Sequence, residues 1–252
     1  MTLWQVALVG FAAFCAGAMN SVAGGGTFFS FPALLAAGVP PVVANASNSV
    51  ALWPASLSGA WAYRTELARY KRYLLPMGIV SLVGGIGGGL LLLATKDATF
   101  SKLIPWLLLF ATLLFAFSGR ISARLRGGRQ AQPGNSPGAL AGQAVVSVYG
   151  GFFGAGMGIM MLASLAMAGH EDVQEINAIK NLLSAVIYSV TVVTFVIADA
   201  VSWPYTLIML ATATLGGYWG ASVARKIPAQ WLRRFIIGVG FLLTVFYFYK
   251  TL

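Results

Sequence analysis

The sequence contains few charged residues. Of its 252 residues, 9% are Asp, Glu, Lys or Arg, whereas 58% are hydrophobic, and the mean hydropathy is +0.81. Soluble domains carry about 25% charged residues. Apolar runs also recur along the whole chain rather than once near its start. These features exclude a soluble globular protein and predict a multi-pass membrane protein of all-α class.

Residues suited to metal or redox chemistry are also scarce. Cys15 is the single cysteine, which excludes an intrachain disulfide and a thiolate metal site. The sequence predicts no metal and no cofactor. His170 is the single histidine and stands beside Glu171, Asp172 and Glu175. A metal site or a proton relay is an alternative for this group, but acids at a helix start favour helix capping.

Basic residues outnumber acidic ones, 16 to 6, which gives a formal net charge of +10. They cluster in short segments between apolar runs, as in the cytoplasmic loops of membrane proteins. This distribution argues against a nucleic-acid partner and makes the lipid bilayer the main environment of the chain.

Apolar length and punctuation predict about ten helical elements. Their ranges are 3–23, 27–38, 42–62, 74–94, 103–119, 139–155, 157–169, 176–199, 204–224 and 231–250. The second and seventh are about 12 residues long, too short for a hydrocarbon core of about 30 Å at 1.5 Å per residue. Each is therefore predicted to be one arm of a hairpin that enters and leaves by the same face.

The two halves of the sequence resemble each other. A shift of 132 residues aligns Asn45-Ala46 with Asn177-Ala178, and Gly84-Gly85 with Gly216-Gly217. A nearly constant offset of this kind indicates an internal duplication. The glycine clusters at 84–89 and 216–220 are predicted to mediate close helix packing.

The duplication predicts two five-element repeats, residues 1–119 and 139–252, with a polar cytoplasmic linker at 120–138. Each repeat contains a glycine-broken hairpin and three net crossings, so the second repeat enters the membrane from the opposite face. The repeat is therefore predicted to be inverted, as in many secondary transporters.

This topology brings most basic residues to one side of the membrane, leaving Lys96, Lys102 and Lys250 on the other. The positive-inside rule makes the basic side cytoplasmic. We expect a bacterial inner-membrane protein with both termini in the periplasm. The sequence leaves the oligomeric state open, with a homodimer as one option.

The glycine breaks lie at 24–27 (GGGT) and at 154–158 (GAGMG). A backbone break in hydrocarbon persists only where protein, water or substrate satisfies its polar groups. Thr27 is expected to N-cap the first short helix. Both short helices would then direct positive N-termini towards the interior, which favours small anions as ligands.

Lys180 is predicted to lie within an apolar segment, where a cation is costly unless it lines a cavity or has a partner. Alternatively, it snorkels to the interface or pairs with Glu175 or Asp172. The nearby Asn and Ser side chains have an alternative role as interhelical hydrogen-bonding groups. The predicted substrate site comprises Asn20, Ser21, Gly24, Gly25, Gly26, Thr27, Asn45, Asn48, Ser49, Gly156, Met157, Gly158, Asn177, Lys180 and Asn181.

The motifs AGGGTFFSFPALLAAGVPPVVANASNSVAL, GFFGAGMG and NAIKNL resemble the TauE/SafE sulfite exporter family over nearly the whole chain. The resemblance implies a permease of two similar halves whose substrates are sulfite or small organosulfur anions such as sulfoacetate. Ile179-Lys180 replaces the Ser47-Asn48 of the first half, which predicts an asymmetric site.

The function predicted from the residues and the resemblance together is secondary transport of small anions by alternating access around a central site. A passive anion channel is the alternative. A membrane enzyme or assembly factor is disfavoured, because such proteins are expected to cluster His, Asp or Cys inside the membrane. The chain is thus predicted not to be an enzyme.

Overall fold

The computed structural model describes residues 1–22, 25–62, 64–67, 71–126, 136–170, 173–223 and 229–251. Within these ranges the chain is a bundle of α-helices without strands. Gly24 and the side chain of Ser21, both predicted site residues, lie outside this description, as does most of the predicted linker.

The helices are α1 (Leu3–Val22), α2 (Thr27–Ala36), α3 (Pro41–Ala62), α4 (Arg64–Leu67), α5 (Lys71–Ala94), α6 (Asp97–Arg126), α7 (Pro137–Phe152), α8 (Met157–Met167), α9 (Val173–Ile197), α10 (Trp203–Val223) and α11 (Ala229–Thr251). All ten predicted elements are present, and the all-α membrane fold is confirmed. The short helix α4 was not predicted. Helix α6 begins at Asp97 rather than at residue 103, because this acid occupies the first turn, where it favours the helix dipole.

Membrane-spanning length is found in several of these helices. In the described ranges, four helices are long and apolar enough to cross a bilayer: Leu3–Asn20, Tyr73–Ala94, Asp97–Phe117 and Glu175–Ile197. The helices α2 and α8 are apolar but contain 10 and 11 residues. Their length confirms that neither short element spans the membrane by itself.

Each short helix folds back along the helix before it. The Gln5 side-chain amide at the start of α1 donates to the Ala37 carbonyl at the end of α2 over 2.9 Å. In the second half, a Cβ at Gly142 of α7 would lie 2.7 Å from the Ser164 hydroxyl near the end of α8. The pairs α1–α2 and α7–α8 are therefore hairpins, each returning to the side where it began.

Three helices of the first half begin 132 residues before helices of the second half. The pairs of first residues are Pro41 and Val173, Lys71 and Trp203, and Asp97 and Ala229. The pattern of helix packing is also shared, because α1 packs along α10 while α7, its predicted counterpart, packs along α5. The spacing and packing agree with the duplication seen in the sequence.

Two pairs of counterpart helices run antiparallel. Along α3 and α9, the Ser202 N–H that follows α9 donates to Ser47 Oγ over 2.9 Å. Further along the pair, Trp53 Nε1 donates to Ser189 Oγ over 2.8 Å. For α6 and α11, Trp106 near the start of α6 stacks edge-on with Phe248 near the end of α11. These contacts fix the relative directions of the two pairs.

The glycine clusters of α5 and α10 lie at tight helix contacts. A Cβ at Gly84 would lie 2.6 Å from Ser147 Cβ, and one at Gly85 would lie 2.8 Å from a Val190 methyl carbon. A Cβ at Gly216 would overlap the backbone carbonyl of Phe14. The prediction that these glycines mediate packing is confirmed.

Prolines are distributed unequally between the halves. Helices α2, α3, α5 and α6 each contain an internal proline: Pro32, Pro54, Pro76 and Pro105. At the equivalent positions of α8, α9, α10 and α11 the sequence has Ala163, Val186, Ile208 and Ile237. The helices of the first half are therefore interrupted where those of the second are continuous.

Candidate functional site at the hairpin tips

The tips of both hairpins lie against the middle of α6. A Cβ at Gly25 would lie 2.9 Å from the Phe115 ring, and one at Gly156 would lie 3.4 Å from Ala111 Cβ. Phe115 and Ala111 are four residues apart, which is about one helical turn. The fold thus brings the two glycine breaks together inside the bundle, as the sequence predicted.

The first tip differs from prediction in its capping. Thr27 was expected to N-cap α2, but the N-cap residue is Gly26, with φ −54° and ψ −33° and no side-chain capping bond. Thr27 is the first helical residue and is buried. Its hydroxyl accepts a long 3.4 Å hydrogen bond from Asn48 Nδ2 instead. The capping prediction is wrong because Gly26 already has helical backbone angles.

The side chains around the first tip form a buried hydrogen-bonded group. Ser30 Oγ of α2 donates to Asn48 Oδ1 of α3 over 2.5 Å. Asn48 and Ser30 are 2% and 0% exposed. Sequence analysis missed Ser30, although its place one turn after Thr27 was a usable signal. These contacts join the first turn of α2 to α3.

Hydrogen bonding at this tip leads to a prediction for stability. Asn48→Ala removes both side-chain partners of Asn48 and should lower the thermal midpoint of the purified protein by about 3–6 °C, equivalent to about 1–2 kcal/mol. Ser58→Ala is the matched control, because exposed Ser58 bonds only within α3. Equal midpoints for the two variants would contradict the prediction.

The second tip has a different composition. Gly156 N-caps α8 with φ 78°, a left-handed conformation that glycine adopts readily. A Cβ at Gly158, in the first turn of α8, would lie 3.7 Å from Lys180 Cδ. The side chain of Lys180 therefore lies beside the N-terminus of α8, and the ammonium group donates to Asn177 Oδ1 over 3.2 Å.

Lys180 has no acidic partner in the described part of the chain. Glu175, which sequence analysis considered as its partner, lies 2.6 Å from His170 Nδ1 instead. Asp172 lies outside the described residues. The lysine is half-buried in an apolar helix with an amide oxygen as its hydrogen-bond acceptor, so its charge is available to an anion.

The two tips place different residues at equivalent positions. Asn48 contacts Thr27 in the first half, and Lys180, 132 positions later than Asn48, contacts Gly158, 131 positions later than Thr27. The predicted asymmetry is thus visible in the contacts. One tip offers amide and hydroxyl groups, and the other offers a cation beside exposed glycine backbone.

Several other predicted site residues are engaged in packing. Asn45 Nδ2 donates to the Phe152 carbonyl over 2.8 Å, and Ser49 Oγ donates to the Asn45 carbonyl over 3.0 Å. Met157 packs against Gly150. For Asn45 and Ser49 the interhelical alternative describes these contacts. Asn45 Oδ1 nevertheless stays buried without a hydrogen-bond partner.

The remaining predicted residues lie close to the tips. Asn20 is half-buried in the last turn of α1, and Asn181 is half-buried one residue after Lys180. Gly26 is buried against the Ala16 carbonyl of α1, so close packing alone accounts for a glycine there. Of the first tip, Gly25, Thr27 and Asn48 are therefore the better candidates for contact with a ligand.

A groove of ≈ 950 Å³ lies between α3, α5 and α9. Its lining is mainly apolar and includes Leu57, Leu182 and Val190, with Trp61 and Arg64 at one end. None of the predicted site residues lines it. Sequence analysis did not identify this groove, because its walls come from helices that are distant in the chain.

Comparison with known proteins gives the family. The model of the family described as sulfite exporter TauE/SafE matches residues 9–247, nearly the whole chain. The chain belongs to the TauE/SafE sulfite exporter family. The earlier resemblance is therefore confirmed, and this TauE/SafE protein is a member of a family of membrane transporters.

Relatives with similar lengths carry transporter names. A probable membrane transporter protein of Haemophilus influenzae is 27% identical over 241 residues, which cover 92% of this chain and 89% of that relative. The probable membrane transporter protein YfcA of Escherichia coli K12 is 27% identical over 229 residues, 90% of this chain and 83% of YfcA. A probable membrane transporter protein, ORF9, of Sinorhizobium is 33% identical over 104 residues, 41% of this chain. No solved structure matches the chain.

Proposed function

We propose that this TauE/SafE protein is a secondary transporter of small anions, either sulfite or organosulfonates, with its substrate site between the two hairpin tips. Access to the site alternates between the two faces of the membrane. The protein carries no enzymatic activity in this proposal. The relatives' names support transport in general, and the choice of substrate rests on the site.

The position of Lys180 carries the proposal. The lysine stands beside the N-terminus of α8, where the helix dipole contributes roughly half a positive charge. Two positive groups at one place in a low-dielectric interior repel each other unless an anion lies between or beside them. A sulfite or sulfonate group, with several oxygen acceptors, fits the ammonium and the backbone N–H groups of the tip.

The directions of the helices support alternating access. The counterparts α3 and α9 run antiparallel, and so do α6 and α11, as expected if the second repeat is inverted relative to the first. Inverted repeats can exchange conformations, which gives two states of similar energy around one central site. This feature favours a carrier over a passive channel.

Counterflow in proteoliposomes tests the proposal. Vesicles loaded with unlabelled sulfite or sulfoacetate should transiently accumulate the labelled anion above equilibrium, because a carrier couples the movement of the two pools. Vesicles without protein are the control. Accumulation that never exceeds equilibrium would indicate a channel, and no protein-dependent uptake of any sulfur oxyanion would refute the proposal.

We further propose that the protein resides in a bacterial inner membrane with both termini in the periplasm. Basic loops on one side of the predicted topology support this orientation. Reporter domains fused at each end would show the side on which the termini lie. The homodimer stays a prediction, to be tested by the mass of the detergent-solubilised protein.

A further inference from the structure

A buried acid–base pair lies outside the candidate anion site. His170, the only histidine of the chain, follows the second hairpin and is 2% exposed. Its Nδ1 lies 2.6 Å from Glu175 Oε1 in the first turn of α9. The pair therefore connects the end of one hairpin arm to the start of the helix that carries Lys180.

The other face of the imidazole is unsatisfied. His170 Nε2 is buried and has no hydrogen-bond partner, and the same is true of the Tyr73 hydroxyl. The Tyr73 ring of α5 lies edge-on to the imidazole, with ring centroids 4.6 Å apart. A buried polar atom without a partner is costly unless a second state uses it. Nε2 is the position where a further proton would bind.

The surroundings of the pair contain few other titratable groups. Among the described side chains, Glu175 from α9 and Tyr73 from α5 face His170, whereas α8 contributes no acid or base. The neighbouring Ala139 segment of α7 likewise carries none. The side chains of Lys71, Arg72, Glu171 and Asp172 adjoin the pair in sequence and lie outside the described residues.

Elsewhere in the described part of the chain, Asp97 and Asp199 are exposed near the membrane surface. The pair is thus the buried site in this part of the protein where a carboxylate and a histidine share a contact. With the proton on Nδ1, the neutral imidazole donates to the carboxylate and the pair carries one negative charge. A second proton on Nε2 makes the pair neutral overall.

We propose that the His170–Glu175 pair is a proton-binding site whose occupancy is linked to anion binding at Lys180. This inference rests on the proposed function and adds a coupling ion to it. Proton uptake from the predicted cytoplasmic side removes the negative charge of the pair, and the anion then binds without repulsion from that charge. The transported anion and the proton therefore move together.

The size of the linkage follows from distance. Glu175 and Lys180 are five residues apart on α9, which is about 7.5 Å along the helix axis. A unit charge about 10 Å away, at an effective dielectric constant of about 20, shifts a titration midpoint by about one pH unit. Anion binding should raise the midpoint of His170 by this amount. Reciprocally, protonation should raise anion affinity about tenfold.

The single histidine allows a direct measurement on the wild-type protein. In protein with 15N-labelled histidine, reconstituted in nanodiscs, NMR follows the His170 ring resonances as the pH changes, with and without sulfoacetate. Sulfoacetate stays fully ionised over this range, so it carries no proton itself. The midpoint should rise by about one pH unit when sulfoacetate is present. An unchanged midpoint in protein that transports sulfoacetate would overturn the inference alone.

Transport measurements provide the second arm. With a pH dye inside proteoliposomes, inward movement of sulfoacetate should acidify wild-type vesicles, and His170→Gln should reduce this proton flux at least fivefold while counterflow falls less than threefold. Asp199→Asn, an exposed acid remote from the pair, is the matched control. Equal proton flux in His170→Gln and wild type would overturn the inference. Absence of any anion transport by wild type would overturn the proposed function, and the inference with it.

Discussion

Replacing Lys180 by alanine is expected to weaken anion binding about 30-fold to 100-fold, or about 2–3 kcal/mol. The reason is that charge-assisted hydrogen bonds contribute about 1.5–3 kcal/mol, and the cation is half-buried beside the start of α8. Binding of labelled sulfite or sulfoacetate to purified protein measures the effect. Lys180→Arg should retain part of the affinity because the charge remains.

Lys96→Ala is the matched control for this experiment. Lys96 is an exposed residue in the turn between α5 and α6, so it should change anion affinity less than twofold. Equal losses in the two variants would remove Lys180 from the site. Loss of binding in Lys180→Ala with a lowered thermal midpoint would point to misfolding, and Lys180→Met, which keeps the apolar stem, separates the two effects.

Gly88→Ala is expected to be the most destabilising single methyl addition in the packing clusters. A Cβ there would overlap the Val148 carbonyl oxygen and lie 2.8 Å from the Phe152 amide nitrogen, both backbone atoms of α7. Neither can rotate away, so α5 and α7 must separate. Overpacking typically costs 1–3 kcal/mol, and we expect about 3 kcal/mol, or a thermal midpoint lower by about 6–12 °C.

Gly87→Ala provides the control for that substitution. A Cβ at Gly87 meets nothing within 4 Å, and the residue is exposed on the outer surface of α5. Alanine has the higher helix propensity, so the midpoint should stay the same or rise slightly. Fluorescence-detected size-exclusion after heating measures both variants. Similar midpoints for Gly87→Ala and Gly88→Ala would contradict the close packing of α5 on α7.

Much of the fold could be predicted because the membrane limits the choices. Apolar length separates helices that cross from those that do not, and the offset of 132 residues then relates the two halves. The hairpins followed from α2 and α8 being too short to cross. The start of α6 was harder, since Asp97 and Lys96 interrupt the apolar pattern although the backbone is already helical at Asp97.

The candidate site was predicted less completely than the fold. Lys180 and the glycine breaks have local signals, and the structure brings them together. The role of Thr27 was wrong because the backbone conformation of Gly26 cannot be read from residue types. The contact of His170 with Glu175 was also hidden, since helix capping and ion pairing place the same residue types at a helix start.

The internal prolines make the first half mechanically softer than the second. Each proline lacks the N–H that would bond the carbonyl four residues earlier, so α3, α5 and α6 can bend at Pro54, Pro76 and Pro105 with little loss of backbone bonding. Their counterparts have no such weak point. Rearrangement within the membrane should therefore be concentrated in residues 1–119, with the lysine-bearing half acting as the stiffer support.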